Sequence, residues 1–164
     1  EPMVATTPSL IVCKSMSKCY ALSGLRVAYA VSQKMTELRR FIPPWAVSLP
    51  GQLAAVAALR NPAYYRQQYD IIHQQREQLS LLLDEEKFTV LPGVANFILT
   101  FLPEHTHHTS SSFIEACKEK GVFIRDAQNM GVTLTNKAVR FAIRSQKENA
   151  RILQCVKEVL SEGY

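Results

Sequence analysis

Lys18 follows a short apolar run, residues 9–14 (SLIVCK), and sits in a stretch rich in small hydroxyl side chains. Ser15 and Ser17 lie three and one positions before it, and Arg26 lies eight after it, across a Ser23-Gly24 turn. Two hydroxyls, a guanidinium and loop N–H groups are what a phosphate monoester requires: charge and several donors converging from one side. A lysine beside them can condense with an aldehyde once its surroundings lower its pKa and free the amine. Chemistry alone leaves two readings open here, a phosphate site with a reactive lysine or a solvated loop at a strand end.

The segment 13–29 reads CKSMSKCYALSGLRVAY. Its Ser15-Met16-Ser17-Lys18, Leu22-Ser23-Gly24-Leu25-Arg26 and Tyr29 resemble the S-x-S-K-x-x-x-L-x-G-x-R-x-x-Y signature of the class I/II aminotransferases. The likeness is strongest to the branch holding histidinol-phosphate aminotransferase and threonine-phosphate decarboxylase. The resemblance implies that Lys18 carries pyridoxal 5'-phosphate as a Schiff base, and that Ser15, Ser17 and Arg26 bind its phosphate. Ala28 stands where many relatives have glycine, and a residue that small still fits beside the loop.

A second pair of cations lies near the end of the chain. Residues 139–145 alternate, with Val139, Phe141 and Ile143 on one strand face and Arg140, Ala142 and Arg144 on the other. Such a pair would lie roughly 13 Å apart on a continuous strand. The pattern alone equally describes the solvated side of an antiparallel sheet. The run VRFAIRSQKEN, 139–149, resembles the family's L-R-[IV]-[ST]-[IV]-G-T-x-E-E-N stretch, whose arginine grips the substrate α-carboxylate. The resemblance gives that role to Arg140. Arg144-Ser145 replaces the usual Gly-Thr, a departure similar to the threonine-phosphate decarboxylases. Asn96-Phe97 matches the family's "ANF" strand start and residues 121–126 match "GI-x-x-RD". The same resemblance implies substrate contacts for Asn96, Arg125 and Arg144, with Arg125 toward an anionic tail. For Arg125 a surface ion pair is the alternative.

Elements must position these groups. Residues 9–14 and 25–31 read as strands buried in a parallel sheet. Residues 33–41 read as a short helix ending before Pro43-Pro44, and 49–59 as an Ala/Leu-rich helix. Asn61-Pro62 opens a long helix to about Glu86, with Tyr65, Tyr69, Ile72, Leu79 and Leu83 along one stripe. Four strands follow over 88–91, 95–102, 122–127 and 139–145. A helix begins at Ser110–Ser112 and closes at Gly121. Ser145 and Glu148 form a capping box for a last helix, whose buried face is Ile152, Leu153, Val156, Val159 and Leu160.

Composition narrows the classes. The charge of +5 is spread along the chain rather than clustered with aromatic residues, so nucleic acid is not an expected partner. The apolar runs are too short for a membrane span, and no secretory leader pattern opens the chain. Cys13, Cys19, Cys117 and Cys155 show neither disulfide nor metal spacing, which fits a reduced, cytoplasmic protein. His105, His107 and His108 lack a partner at ligand spacing, so no metal is expected.

The expected fold class is α/β: the C-terminal part of a fold-type I pyridoxal-phosphate transferase, with the last strands of its large domain and an α+β small domain. The expected layout is 1–60 as a remnant of the large domain, 61–87 as a linking helix and 88–164 as the small domain. The resemblance implies an enzyme, a homodimer, that moves an amino group between an amino acid or amino-alcohol phosphate and a 2-oxo acid. Two alternatives stand beside it: decarboxylation of a phosphorylated amino acid, and a catalytically incomplete C-terminal fragment. The last follows because the family's glycine-led phosphate helix and its Asn, Asp and Tyr around the pyridine ring have no counterparts in these 164 residues.

Overall fold

The computed structural model describes residues 2–162, which divide into two compact units at 68/69, inside a long helix.

The first unit starts with a short helix, α1 (Pro2–Thr6), that the sequence did not signal. The Gln33 side-chain amide secures it, donating to the Val4 and Ala5 carbonyls at 2.8 and 2.9 Å. Strands β1 (Val12–Ser15) and β2 (Ala28–Val31) pair antiparallel, Val12 opposite Val31 and Ser15 opposite Ala28. This corrects the expectation of parallel strands; Cys13, Lys14 and Ser15 are exposed in this chain. The reason is the connection, which folds back as a compact loop, whereas parallel pairing needs a long crossover. The second strand is also shorter than its apolar pattern, since Leu25 belongs to a 3-10 turn, Ser23–Leu25.

Helix α2 (Met35–Leu38) runs into a 3-10 turn before the two prolines. Helix α3 (Leu49–Leu59) forms where its composition places it, with Ser48 as N-cap accepting from the Gly51 N–H at 3.3 Å. Gly51 is required by close approach, because a Cβ there would sit 2.9 Å from Val27 Cγ2. Helix α4 (Pro62–Glu85) begins at the expected proline. The core of this unit is small: Met16, Val27 and Ala58 are buried, flanked by Tyr20, Leu22, Leu25, Tyr29, Val47, Ala55 and Tyr65.

The second unit contains a four-stranded antiparallel sheet in the order β3-β4-β6-β5. Its strands are β3 (Thr89–Val90), β4 (Phe97–Phe101), β5 (Arg125–Asp126) and β6 (Ala138–Ala142). Helix α5 (Ser110–Glu119) opens on a Thr109–Ser112 capping box, and Gly121 at φ 76° turns the chain out after it. Helix α6 (Gln146–Ser161) opens on the anticipated Ser145–Glu148 box. Phe88, Phe113 and Phe141 are at most 1% exposed and meet edge-to-face at centroid separations of 5.9 Å. Leu79, Leu83, Ile98, Val139, Val156 and Val159 complete that core. The strands are all shorter than the apolar patterns, and β6 stops at Ala142. Beyond it the Arg144 N–H is taken by Asn149 Oδ1 at 3.0 Å instead of by a neighbouring strand.

Candidate functional site

In the first unit the loop between β1 and β2 presents Ser15, Ser17, Lys18 and Arg26. Its base is drawn shut by the Met16 N–H donating to Val27 O at 3.0 Å and the Leu22 N–H donating to Met16 O at 3.1 Å. Met16, fully buried, anchors that base. Lys18 and Ala21 close a turn through the Ala21 N–H and Lys18 O at 3.1 Å, with Ala21 left-handed at φ 56°. Arg26 is left-handed too, at φ 53°, and its guanidinium donates to Ser23 O at 3.4 Å. Two non-glycine residues in this region within one loop is backbone strain of the kind that collects at functional sites.

Ser15 Oγ accepts from the Ser17 N–H at 3.3 Å, which leaves its hydroxyl proton free to donate. Lys18 and Arg26 are exposed, and neither has a carboxylate partner among the described residues. Two uncompensated cations and two hydroxyls on one loop form a donor set suited to a phosphorylated aldehyde: an amine for the carbonyl, and hydroxyl and guanidinium donors for the phosphate. The loop's second polar feature is Tyr20, which motif reasoning missed. Burial, then a hydrogen bond with the Tyr29 hydroxyl, pushes its phenol pKa up, so it stays neutral well above pH 7.

In the second unit Arg140 and Arg125 are direct partners across β6 and β5, so their side chains leave the same face. The Arg140 guanidinium lies 4.8 Å from the centroid of the Phe97 ring, which supports it from below. Arg140 is half-buried, and neither arginine has a carboxylate partner among the described residues. Like charges directly opposite on a sheet repel. An anion received between them would offset that repulsion.

Asn96 and Arg144 stand differently. Asn96 is exposed at the entry to β4, where its carbonyl accepts from the Ile143 N–H at 3.1 Å. Arg144 has left the strand, which corrects its expected place on one continuous face with Arg140. Its backbone is held from both sides by the buried Asn149 side chain, whose Nδ2 donates to Arg144 O at 3.0 Å and to Gln75 Oε1 at 3.3 Å. Hydrogen bonds from the Ser145 side chain and backbone hold the Glu148 carboxyl below the usual range, and the Arg144 charge adds to this. His108 Nδ1 lies 3.2 Å from Ser112 Oγ, beside the start of α5.

Comparison with known proteins decides the family. Residues 2–156 match the model of aminotransferase class I and II. The chain belongs to that family. Histidinol-phosphate aminotransferase 2 of Archaeoglobus fulgidus is 34% identical over 96% of this chain, which covers 44% of that relative. This aminotransferase chain therefore spans less than half the length of that curated relative. Among solved structures, the histidinol-phosphate aminotransferase of Clostridium acetobutylicum superposes with a TM-score of 0.86 at 22% identity, over 98% of this chain and 48% of that one. The L-threonine-O-3-phosphate decarboxylase of Porphyromonas gingivalis gives a TM-score of 0.82 at 24% identity, over 98% and 49%. At these identities the two structures show the fold alone; with the family match, that fold is the C-terminal part of an α/β pyridoxal-phosphate transferase. Among the described residues no helix is long and apolar enough to cross a membrane.

Proposed function

We propose that the family-length polypeptide is a pyridoxal-phosphate-dependent aminotransferase of the histidinol-phosphate type, acting on a small amino acid or amino-alcohol phosphate. The observation that carries this is the β1–β2 connection, which bears Lys18, Arg26, Ser15 and Ser17 without a neutralising carboxylate partner for either cation among the described residues. Pyridoxal phosphate supplies the exchangeable carbonyl and the ring that takes up electrons from the substrate α-carbon. Lys18 would hold the cofactor through its amine, and the same amine, when free, would move a proton at the substrate α-carbon. Ser15, Ser17 and Arg26 hold the phosphate. Arg140 grips the α-carboxylate as a bidentate partner, steadied by Phe97. Arg125 beside it takes a second anionic group, and Asn96 is a further substrate contact.

The layout we propose is a large-domain remnant over 1–60, a linking helix over 61–87 and a small domain over 88–164. The working form is a homodimer in a reducing cytoplasm. All four cysteines are free, and the first unit exposes Phe41, Ile42, Trp45, Leu49 and Leu53, an apolar surface suited to an association partner. The amino-group chemistry belongs to the family-length protein. These 164 residues carry the lysine, part of the phosphate cup and the carboxylate arginine.

Arg144 favours one second reading. A cation where relatives have glycine suits a phosphorylated amino acid, and the same scaffold could then release carbon dioxide. Product analysis separates the two. Incubation of the family-length enzyme with an amino-alcohol phosphate and a 2-oxo acid should yield a new amino acid in equal amount to the substrate consumed. Carbon dioxide and an amine from a phosphorylated amino acid would favour decarboxylation, and turnover of neither would contradict both.

A further inference from the structure

Of the four residues in the turn that carries Lys18, three are exposed, Lys18, Cys19 and Ala21, and Tyr20 alone points inward. Its ring meets Tyr65 edge-to-face, with centroids 4.8 Å apart at 63°, and Tyr65 in turn meets Tyr64 at 5.1 Å and 86°. With Tyr29 of β2 it packs on the buried Met16, Val27 and Ala58. Tyr20 therefore joins the turn to the opposite strand and to the first turns of α4, all within the first unit. The turn needs such a fixture. Ala21 is held left-handed at φ 56°, a conformation a non-glycine residue leaves when nothing restrains it, and the closing bond from the Ala21 N–H to Lys18 O is solvent-facing at both residues.

We infer that Tyr20 is a positioning residue: its ring pair with Tyr65 and its packing on the small core lock the turn whose backbone presents the Lys18 amine. The inference rests on Lys18 being the lysine that takes pyridoxal phosphate. Tyr20 touches no reacting atom and acts through the turn. Without it the Lys18–Ala21 bond opens more often, and the amine samples directions away from the loop's phosphate donors.

The test uses full-length protein in three forms: wild type, Tyr20→Leu and Tyr20→Phe. Leucine keeps apolar bulk in the core while removing the ring pair and the hydroxyl; phenylalanine restores the ring. Two quantities are read, hydrogen exchange at the Ala21 and Leu22 amides, and the rate at which pyridoxal phosphate becomes borohydride-fixable at Lys18. Tyr20→Leu should speed exchange at these amides and slow fixation at Lys18, each by about three- to tenfold, the scale of one ring pair. Tyr20→Phe should recover most of both. An unchanged fixation rate in Tyr20→Leu, or exchange raised equally throughout 2–68, would overturn the inference. If wild type fixes the cofactor on another lysine, the reading of Lys18 fails and the positioning role falls with it. The exchange difference at Ala21 would then remain, which tells that failure apart from a failure of the lock itself.

Discussion

The two units bury their apolar residues very differently. In the second, Phe88, Phe113 and Phe141 are at most 1% exposed and the sheet is covered by α5 and α6. In the first, Met16, Val27 and Ala58 are the buried apolar centre, while Trp45 is 95% and Phe41 79% exposed. Within these 164 residues, less than half the length of the curated relative, the loop with Lys18 stands on the unit with the smaller core, and the devices that hold it are local: two backbone bonds at its base, a buried methionine and the Tyr20–Tyr65 ring contact. The arginine face is built on the unit with the larger core, where strand register alone aligns Arg125 with Arg140. A rigid sheet fixes a recognition pair without extra parts, whereas a loop needs them.

The largest effect should separate the two cores. Phe141→Ala should destabilise the second unit by about 3–5 kcal/mol, the range for emptying a packed aromatic site. Trp45→Ala, at a position exposed in this 164-residue chain, should change the stability of that chain by about 0.5 kcal/mol or less. Denaturant titration checks both, and similar losses would erase the contrast.

The arginine face comes next. Arg140→Ala should lower kcat/KM of the family-length enzyme for amino-acid substrates by about 2–4 kcal/mol of transition-state binding. Arg125→Ala and Arg144→Ala should act mainly on substrates with a second anionic group. Equal small losses for all three on every substrate would show that register has not built distinct roles.

Much of this architecture is legible in the sequence, and the exceptions have physical causes. Helix α3 is bounded as its composition indicates, and the Ser145–Glu148 box announces α6, because propensity and capping are local. The antiparallel pairing of β1 with β2 is not local. An apolar run tells that a strand exists and leaves its partner open, so SLIVCK reads as a buried parallel strand although most of β1 is exposed. Strands β3 and β5 shrink to two residues for the same reason. The motif singles out Lys18 and Arg140 by type and spacing. The Phe97 ring under Arg140, the Arg125 partner and the Tyr20–Tyr65 contact arise from register and packing between distant segments, which no spacing encodes.

A smaller effect tests the caps. Ser145→Ala should cost about 1 kcal/mol, since Ser145 Oγ accepts the Glu148 N–H at 3.4 Å and donates to its carboxylate at 2.6 Å. Because the Glu148 pKa is lowered in the fold, its stabilising part is present above the ordinary carboxylate range and lost as pH falls through it. Ser145→Ala should therefore flatten the acid limb of a stability–pH curve.

The smallest expected effect is alkaline. Burial, then the neighbouring Cys155, pushes the Cys117 thiol pKa well up from its ordinary 9.0. The unfolded chain thus releases this proton before the folded unit does, and stability should fall as pH rises above about 9. Cys117→Ala should reduce that slope. In native protein a maleimide should modify exposed Cys13 and Cys19 readily and buried Cys117 and Cys155 only on opening. Equal labelling of all four would deny the second unit its closed core.

The central claim is that the exposed amine of the first unit's loop, and no other, takes the cofactor. The direct measurement is borohydride reduction of the family-length protein with pyridoxal phosphate bound, followed by peptide mapping of wild type, Lys18→Ala and Lys14→Ala. The account predicts the cofactor fixed on Lys18 in wild type and in Lys14→Ala, and no fixed cofactor in Lys18→Ala. Fixation on Lys14, or on any lysine of the second unit, would contradict it.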